Sequence, residues 1–203
     1  MAESIVQVTE GSGKKLHTFN RTIGANSVED EVVLFGENYL ASYQGNGDAS
    51  AAVINTQLVG LMAGASLKVR IRRIEIHQLA LATTAALMSL AVYRLTTAGT
   101  GGTTTTPTPL DPTDAASGAT VRLVAAVGGT LGALVWAGNP YLLQTVGASA
   151  PFVQPIVSID FDRLRSKPLI IAAGAANGIA IVNLTAHLAA SLRFDIWFDE
   201  SNF

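Results

Sequence analysis

The sequence predicts an all-β protein: a jelly-roll-like β-sandwich of about eight to ten strands, preceded by an extended N-terminal arm. Three observations predict it. Short apolar runs with period-two alternation recur along the chain, separated by Gly, Pro, Asn and Asp. No stretch sustains a helical period with caps at both ends. The long, unevenly spaced hairpin signals suit a double-sheet jelly roll better than an immunoglobulin-like sandwich.

Residues 1–50 are polar and acidic, and the first 30 hold one short β-like run, Ser4–Thr9, before the turn Gly11-Ser12-Gly13. These first 30 have little to bury and are expected to extend and become ordered on a neighbour. The sandwich is expected over residues 31–203. Glu31–Phe35 and Tyr39–Gln44 flank Gly36, with Gly45-Asn46-Gly47-Asp48 closing the pair as a turn, and Ala49–Gln57 follows as a strand. Leu67, Val69 and Ile71 alternate with Lys68, Arg70 and Arg72. Ile74 and Ile76 resume on the opposite parity, so a β-bulge near Arg72 is predicted to keep all five apolar side chains inward.

Ala86–Leu95 is the next strand, a helix with the preceding Ala and Leu residues being the competing reading. Residues 96–118 are rich in Thr, Gly and Pro, cannot bury a core of their own, and are expected to form a long exposed loop. Thr120–Val127 and Leu131–Ala137 read as a hairpin through Gly128-Gly129. Phe152–Phe161 is a strand whose Pro155 places it at an edge or a bulge. Leu169–Ala173 and Ile179–Leu184 are expected to pair around Gly174 and Asn177-Gly178. In the last strand, Leu192, Phe194, Ile196 and Phe198 alternate with Arg193, Asp195, Trp197 and Asp199.

The composition points to company. Charged residues make up 14% of the chain and hydrophobic ones 49%, against about 25% charged in ordinary soluble proteins. The 37 residues from Leu123 to Ile159 contain no Asp, Glu, Lys or Arg. Contiguous apolar surface marks partner sites, so much of the exterior is expected to be covered by copies of this chain or by other subunits. The net charge of −2 provides no field for nucleic acid or an anionic membrane. The absence of cysteine removes disulfides, thiol catalysis and Cys-based zinc sites. Met-Ala-Glu-Ser at the start lacks a basic region followed by an apolar stretch, so no secretory signal is expected. Pro168–Ser191 is uncharged and long enough to span a bilayer, but its Gly and Asn residues favour two short strands and a turn.

No catalytic or cofactor-binding set emerges. His17, His77 and His187 lack partners at metal-ligand spacing apart from Glu75, which reads with His77 as a surface pair. Gly11-Ser12-Gly13-Lys14-Lys15 lacks the glycine at position 8, the Ser or Thr at position 15 and the following helix that a phosphate loop needs. Asp160 and Asp162 would share a strand face, and Arg163, Arg165 and Lys167 behind them suggest a salt-linked loop. Asn20-Arg21-Thr22 and Asn183-Leu184-Thr185 match the glycosylation triplet, which occurs by chance. Lys68, Arg70 and Arg72 would line about 13 Å of one strand face at roughly 3.3 Å per residue. Without interleaved aromatics they suit the acidic Glu29, Asp30 and Glu31 of a neighbour better than nucleic acid.

Four stretches together resemble tailed-bacteriophage virion proteins. They are Val8 to Lys14 with Arg21 to Gly24; Leu67 to His77 with Leu90 to Leu95; the Thr/Gly/Pro insert through Asp111 to Ser117; and Leu192 to Glu200. The likeness lies in short strands, Ala/Thr/Gly-rich loops and the lack of cysteine. It implies a jelly-roll capsid decoration (cement) subunit of the virion, homotrimeric or otherwise homo-oligomeric. The expected partners are the major capsid protein and copies of the chain, with no direct nucleic acid, no membrane and no cofactor. The expected subunit contacts are Lys68, Arg70, Arg72, Glu29, Asp30, Glu31, Leu134, Trp136 and Tyr141. The absence of repeats and heptads argues against a fibre shaft. The competing readings are a tail or baseplate protein binding a glycan or receptor through the insert, Trp136 and Tyr141; a carbohydrate-active enzyme using Asp160, Asp162 or Glu200; and a monomeric carbohydrate-binding module.

Overall fold

The computed structural model describes residues 18–23, 26–31, 40–49, 57–79, 86–143, 155–162, 168–185 and 191–201. The chain divides into two units, Met1–Asn38 and Tyr39–Phe203. In the first, β1 (Thr18–Ile23) and β2 (Asn26–Glu31) pair antiparallel, from Thr18↔Glu31 to Ile23↔Asn26. The segment expected to be an extended arm therefore holds a hairpin, in which backbone polar groups find partners across the ladder. Ser4–Thr9 lies outside the described residues, as does most of the run expected over residues 31–35.

The second unit contains β3 (Ser42–Ala49), β4 (Gln57–Met62), β5 (Lys68–Gln78), β6 (Ala86–Met88), β7 (Leu90–Leu95), β8 (Thr103–Thr105) and β9 (Thr108–Pro109). It continues with β10 (Thr120–Leu123), β11 (Leu131–Ala137), β12 (Tyr141–Leu143), β13 (Val157–Asp160), β14 (Leu169–Ile171), β15 (Gly178–Asn183) and β16 (Leu192–Ser201). No helix occurs among the described residues. One sheet has the order β13-β5-β16-β3-β9, with β14 also on β5; the other runs β11-β7-β15-β4-β10-β8.

The principal strands in chain order are β3, β4, β5, β7, β11, β13 with β14, β15 and β16. The first, eighth, third and sixth of these lie side by side in one sheet, and the second, seventh, fourth and fifth in the other. This is the strand order of a jelly roll. The inward residues Val69, Ile71, Ile74, Ile76, Phe194, Ile196 and Phe198 meet Leu58, Leu61, Leu90, Val92, Ile179 and Ile181 in one buried cluster.

The predicted bulge is present. Trp197 pairs with Arg73 and Phe198 with Ile71, so Arg72 is the extra residue, and both Arg72 and Arg73 point away from the core. The final strand is central in its sheet, and β13 follows Pro155 at the edge.

Three expectations are corrected. Gly45-Asn46-Gly47-Asp48 is the middle of β3, not a turn. A Cβ on Gly45 would stand 2.6 Å from Val121 Cγ2, and one on Gly47 would overlap Leu123 Cδ1. These glycines admit the facing sheet to close approach. Of the strand expected over Ala49–Gln57, residues 50–56 lie outside the described residues; β4 begins at Gln57, and its six residues are all buried and therefore lack alternation. β10 and β11 do not form a hairpin, because β10 pairs with β4 and β8 while β11 pairs with β7. Likewise β14 pairs with β5 and β15 with β4 and β7, so the turn at Gly174–Asn177 joins two sheets.

The Thr/Gly/Pro insert is also more than a loop. Its β8 extends one sheet beside β10 and its β9 extends the other beside β3, with buried Pro107 between them. It straps one side of the sandwich. Short strands that contain or flank Pro protect the edges they cover. The opposite side, formed by β11 in one sheet and β13 and β14 in the other, has no such strap among the described residues.

Candidate functional site

The expected contact residues fall on three sets of elements. Glu29, Asp30 and Glu31 lie on β2 in the first unit. Lys68, Arg70 and Arg72 lie on the outward face of β5. Leu134 and Trp136 lie on β11, and Tyr141 begins β12.

The face of β5 and β16 is an ionic lattice. Arg70 Nη2 donates to Asp162 Oδ1 at 2.9 Å, and Arg72 Nη1 stands 3.5 Å from Asp162 Oδ2. Arg72 Nε donates to Asp199 Oδ2 at 2.7 Å, while the Ser42 hydroxyl donates to Asp199 Oδ1 at 2.7 Å. The Asp199 carboxylate is fully buried, so these two bonds replace its water. The guanidinium of Arg73 lies 4.4 Å from the Trp197 ring centroid and pairs with Glu75 at 3.4 Å. Asp195 accepts from Gln44 at 2.9 Å and sits beside His77 and Arg193.

The basic stripe thus has acidic partners within its own chain. The bulge creates this arrangement by turning both Arg72 and Arg73 outward. Of the salt-linked loop expected around Asp160 and Asp162, the acids are described: Asp162 pairs with β5, and Asp160 Oδ1 accepts the Asp162 amide at 3.0 Å. Arg163, Arg165 and Lys167 lie outside the described residues. Among the described residues no group of three or more His, Asp or Glu could hold a metal.

The other sheet differs in chemistry. β4 and β15 are buried on both faces. Their inward residues join the main core, while Met62, Leu95, Ala180 and Val182 form a second apolar cluster with Tyr93 and Leu184. The chain after β10 ties back to this sheet: Val124 N–H donates to Leu58 O at 2.8 Å and Gly129 N–H to the buried Gln57 Oε1 at 3.0 Å. Val124 has φ of 44°, the left-handed region that a β-branched residue rarely enters.

Beyond Gly129 the uncharged run surfaces on β11. Leu134 is 53% exposed there and Leu131 is also exposed, while Val124 and Val127 (66%) are exposed ahead of Gly129, where Val127 bridges Thr100 of the insert. Trp136 and Tyr141 are half-buried against the main core, and burial pushes the Tyr141 phenol above its ordinary pKa. β11 makes two register breaks against β7, between Leu131 and Leu134 and between Leu134 and Trp136. Val124, Val127 and Leu131 were not singled out in the sequence. Their exposure follows from β10 and β11 belonging to different places in the sheet.

A third arrangement clasps the insert. The Glu200 carboxylate points inward at the end of β16 and accepts from Ser117 Oγ at 2.7 Å, Ala119 N at 2.8 Å and Gly118 N at 3.0 Å. Tyr43 donates its hydroxyl to Ala115 O at 3.0 Å. Burial, with Glu200 and Asp114 nearby, raises the Tyr43 pKa. Of the two glycosylation triplets, Asn183 is fully buried and donates its amide to Thr185 O at 2.6 Å, which leaves no access to that side chain.

Comparison with protein-family models, curated proteins and solved structures finds no match for this chain.

Proposed function

We propose that this chain is a non-enzymatic structural subunit of a phage virion, a decoration or cement protein that assembles on the capsid through apolar contacts. The observation that carries this reading is the exposure of Leu131 and Leu134 within the uncharged run, on the side of the jelly roll that the insert does not strap, with Val124 and Val127 of the same run exposed beside the insert. Apolar area removed from water contributes about 25 cal/mol per Å², so a flank of this kind drives association. The engagement of Asp162 and Asp199 with arginines, and of Glu200 with the insert, supports a structural role over catalysis. Copies of the chain and the major capsid protein are the partners on this reading, with the acidic first unit reaching a neighbour.

Antibody labelling of purified particles tests it. Dense signal over the capsid shell is the expected result, and absence of the protein from particles overturns it. The alternative, a tail or baseplate protein recognising a glycan or receptor, draws on the exposed hydroxyls of Thr103, Thr104, Thr106 and Thr108 in the insert. It predicts signal confined to the tail.

A further inference from the structure

We infer that the β11 flank is a self-contact, in which this face of one copy packs against the same face of a second copy. The inference rests on the assembly reading above and specifies which surface meets which. Four observations support it. The insert covers the β9 and β8 side of both sheets, and among the described residues no such strap covers the β11 side. On that side, residues 86–93 and 131–143, which comprise β6, β12, β11 and most of β7, contain no charged residue; Arg94, the next residue of β7, is part-buried and donates to Ile170 O of β14 at 2.7 Å. Leu87, Leu131 and Leu134 stand exposed there. Finally, the β6–β12 pair continues β7 and β11, from Ala137↔Ala91 to Tyr141↔Met88, and so lengthens the uncharged flank.

Charge selects the occupant. A partner that brought ions against this flank would bury them without counter-charges, which costs several kcal/mol per ion. The matching surface must therefore be neutral over a similar area. The described surface of this molecule offers little else of that kind. The β5 and β16 face is ionic, the insert side carries Asp111, Asp114 and Arg122, and the β13 edge carries Asp160 with Asp162 just beyond. The flank itself meets the requirement, so copies facing each other across it leave no charge unpaired. The seven residues of β11 give the contact a length of about 24 Å at roughly 3.4 Å per residue. Its two register breaks blunt the strand edge for backbone pairing. Side chains, with Leu134 at the centre, make the contact.

The chain contains no cysteine, so single cysteines report position cleanly. Leu134→Cys and, as a control on the strapped side, Thr113→Cys are compared in the purified full-length protein under mild oxidation. Disulfide-linked dimers through position 134 and none through position 113 are expected. Light scattering should show an oligomer that Leu134→Asp weakens by at least ~10-fold, as loss of a central contact does, with an unchanged circular dichroism spectrum. A monomer at about 0.1 mM, or an oligomer that Leu134→Asp leaves intact, overturns the self-contact. Maleimide accessibility of the Leu134→Cys thiol separates this from failure of the assembly reading. A thiol that is free in the purified variant but protected in particles assigns the flank to a different subunit, which sinks the self-contact and keeps the virion role. Absence of the protein from particles sinks the virion role itself.

Discussion

Replacing Glu200 by alanine tests how the insert is held to the sandwich. The carboxylate is 5% exposed and accepts from the Ser117 hydroxyl and the Gly118 and Ala119 amides; Ala119 is fully buried and Ser117 9% exposed. The substitution removes the carboxylate from all three donors at once, while the Ala119 amide keeps a second, longer bond to Ser117 Oγ at 3.1 Å. A buried donor left unsatisfied costs about 1–3 kcal/mol. Gly118 is exposed enough for water to serve its amide and Ala119 keeps Ser117 Oγ, so the loss comes mainly from the Ser117 hydroxyl and the weakened Ala119 bond, at about 2–4 kcal/mol in all. Against a total of roughly 5–15 kcal/mol for a native domain, this is severe. Glu200→Gln preserves shape and one acceptor oxygen but turns an NH2 toward the amides, for an intermediate loss of about 1–3 kcal/mol. Urea unfolding followed by Trp136 and Trp197 fluorescence measures both. Amide exchange at Ala119 should accelerate in the alanine variant in parallel. An alanine variant within ~0.5 kcal/mol of the parent, with Ala119 exchange unchanged, would refute the clasp.

Three further outcomes are expected. Val124→Asn should stabilise the fold by about 1 kcal/mol, since Asn tolerates the left-handed region that Val does not; a melting temperature raised by about 2–4 °C checks it. Gly45→Ala should cost about 1–3 kcal/mol, because its Cβ would meet the stiff Val121 side chain at 2.6 Å, and a parental urea midpoint would count against the close approach. The Asp111 pKa is held below its ordinary value by the Thr113 amide at 2.8 Å, aided by the Thr113 hydroxyl at 2.7 Å. Its contribution to order in the turn is therefore complete above the unfolded carboxylate range near pH ~4 and is lost as pH falls through the lower folded value. Thr113 amide shifts followed by NMR should titrate with a midpoint below that of an unstructured Asp; a midpoint at or above it contradicts the bond.

The sandwich was legible where one face is wet. β16 and β5 alternate cleanly because their outward residues carry charge, and the parity break at Arg72 and Arg73 exposes the bulge. β4 was illegible for the opposite reason: with both faces buried, Gln57–Met62 has no alternation to read. Gly45 and Gly47 misled because glycine serves turns and close sheet contacts alike, and local sequence does not distinguish them. Strand pairing was the largest gap. Thr120–Leu123 and Leu131–Ala137 look like neighbours joined by Gly128-Gly129, yet non-local pairing sends each to a different strand. The site shared this fate. The uncharged run marks the apolar flank, but which side chains emerge depends on that pairing, so Leu134 was identifiable and Val124, Val127 and Leu131 were not. Asp162 and Asp199, the acids that occupy the basic stripe, are 92 and 127 residues distant from their arginines.

That occupation decides between two origins for assembly. If neighbours joined through Glu29, Asp30 and Glu31 on the stripe of Lys68, Arg70 and Arg72, the incoming acids would displace Asp162 and the buried Asp199 from their arginines. Loss of a guanidinium from a buried carboxylate is costly, and the exposed pair replacing it would yield about 0–1 kcal/mol. Apolar contact along β11 meets no such opposition. The two differ in their response to salt. Between about 0.05 and 0.5 M NaCl the screening length falls from over ~10 Å to under ~5 Å, which weakens an exposed ionic contact, whereas apolar burial is unchanged. Assembly measured by sedimentation across that range is therefore expected to hold constant or tighten. A dissociation constant that rises tenfold or more would return the contact to the charged residues, and Arg70→Glu with Arg72→Glu would then abolish it without touching Leu134.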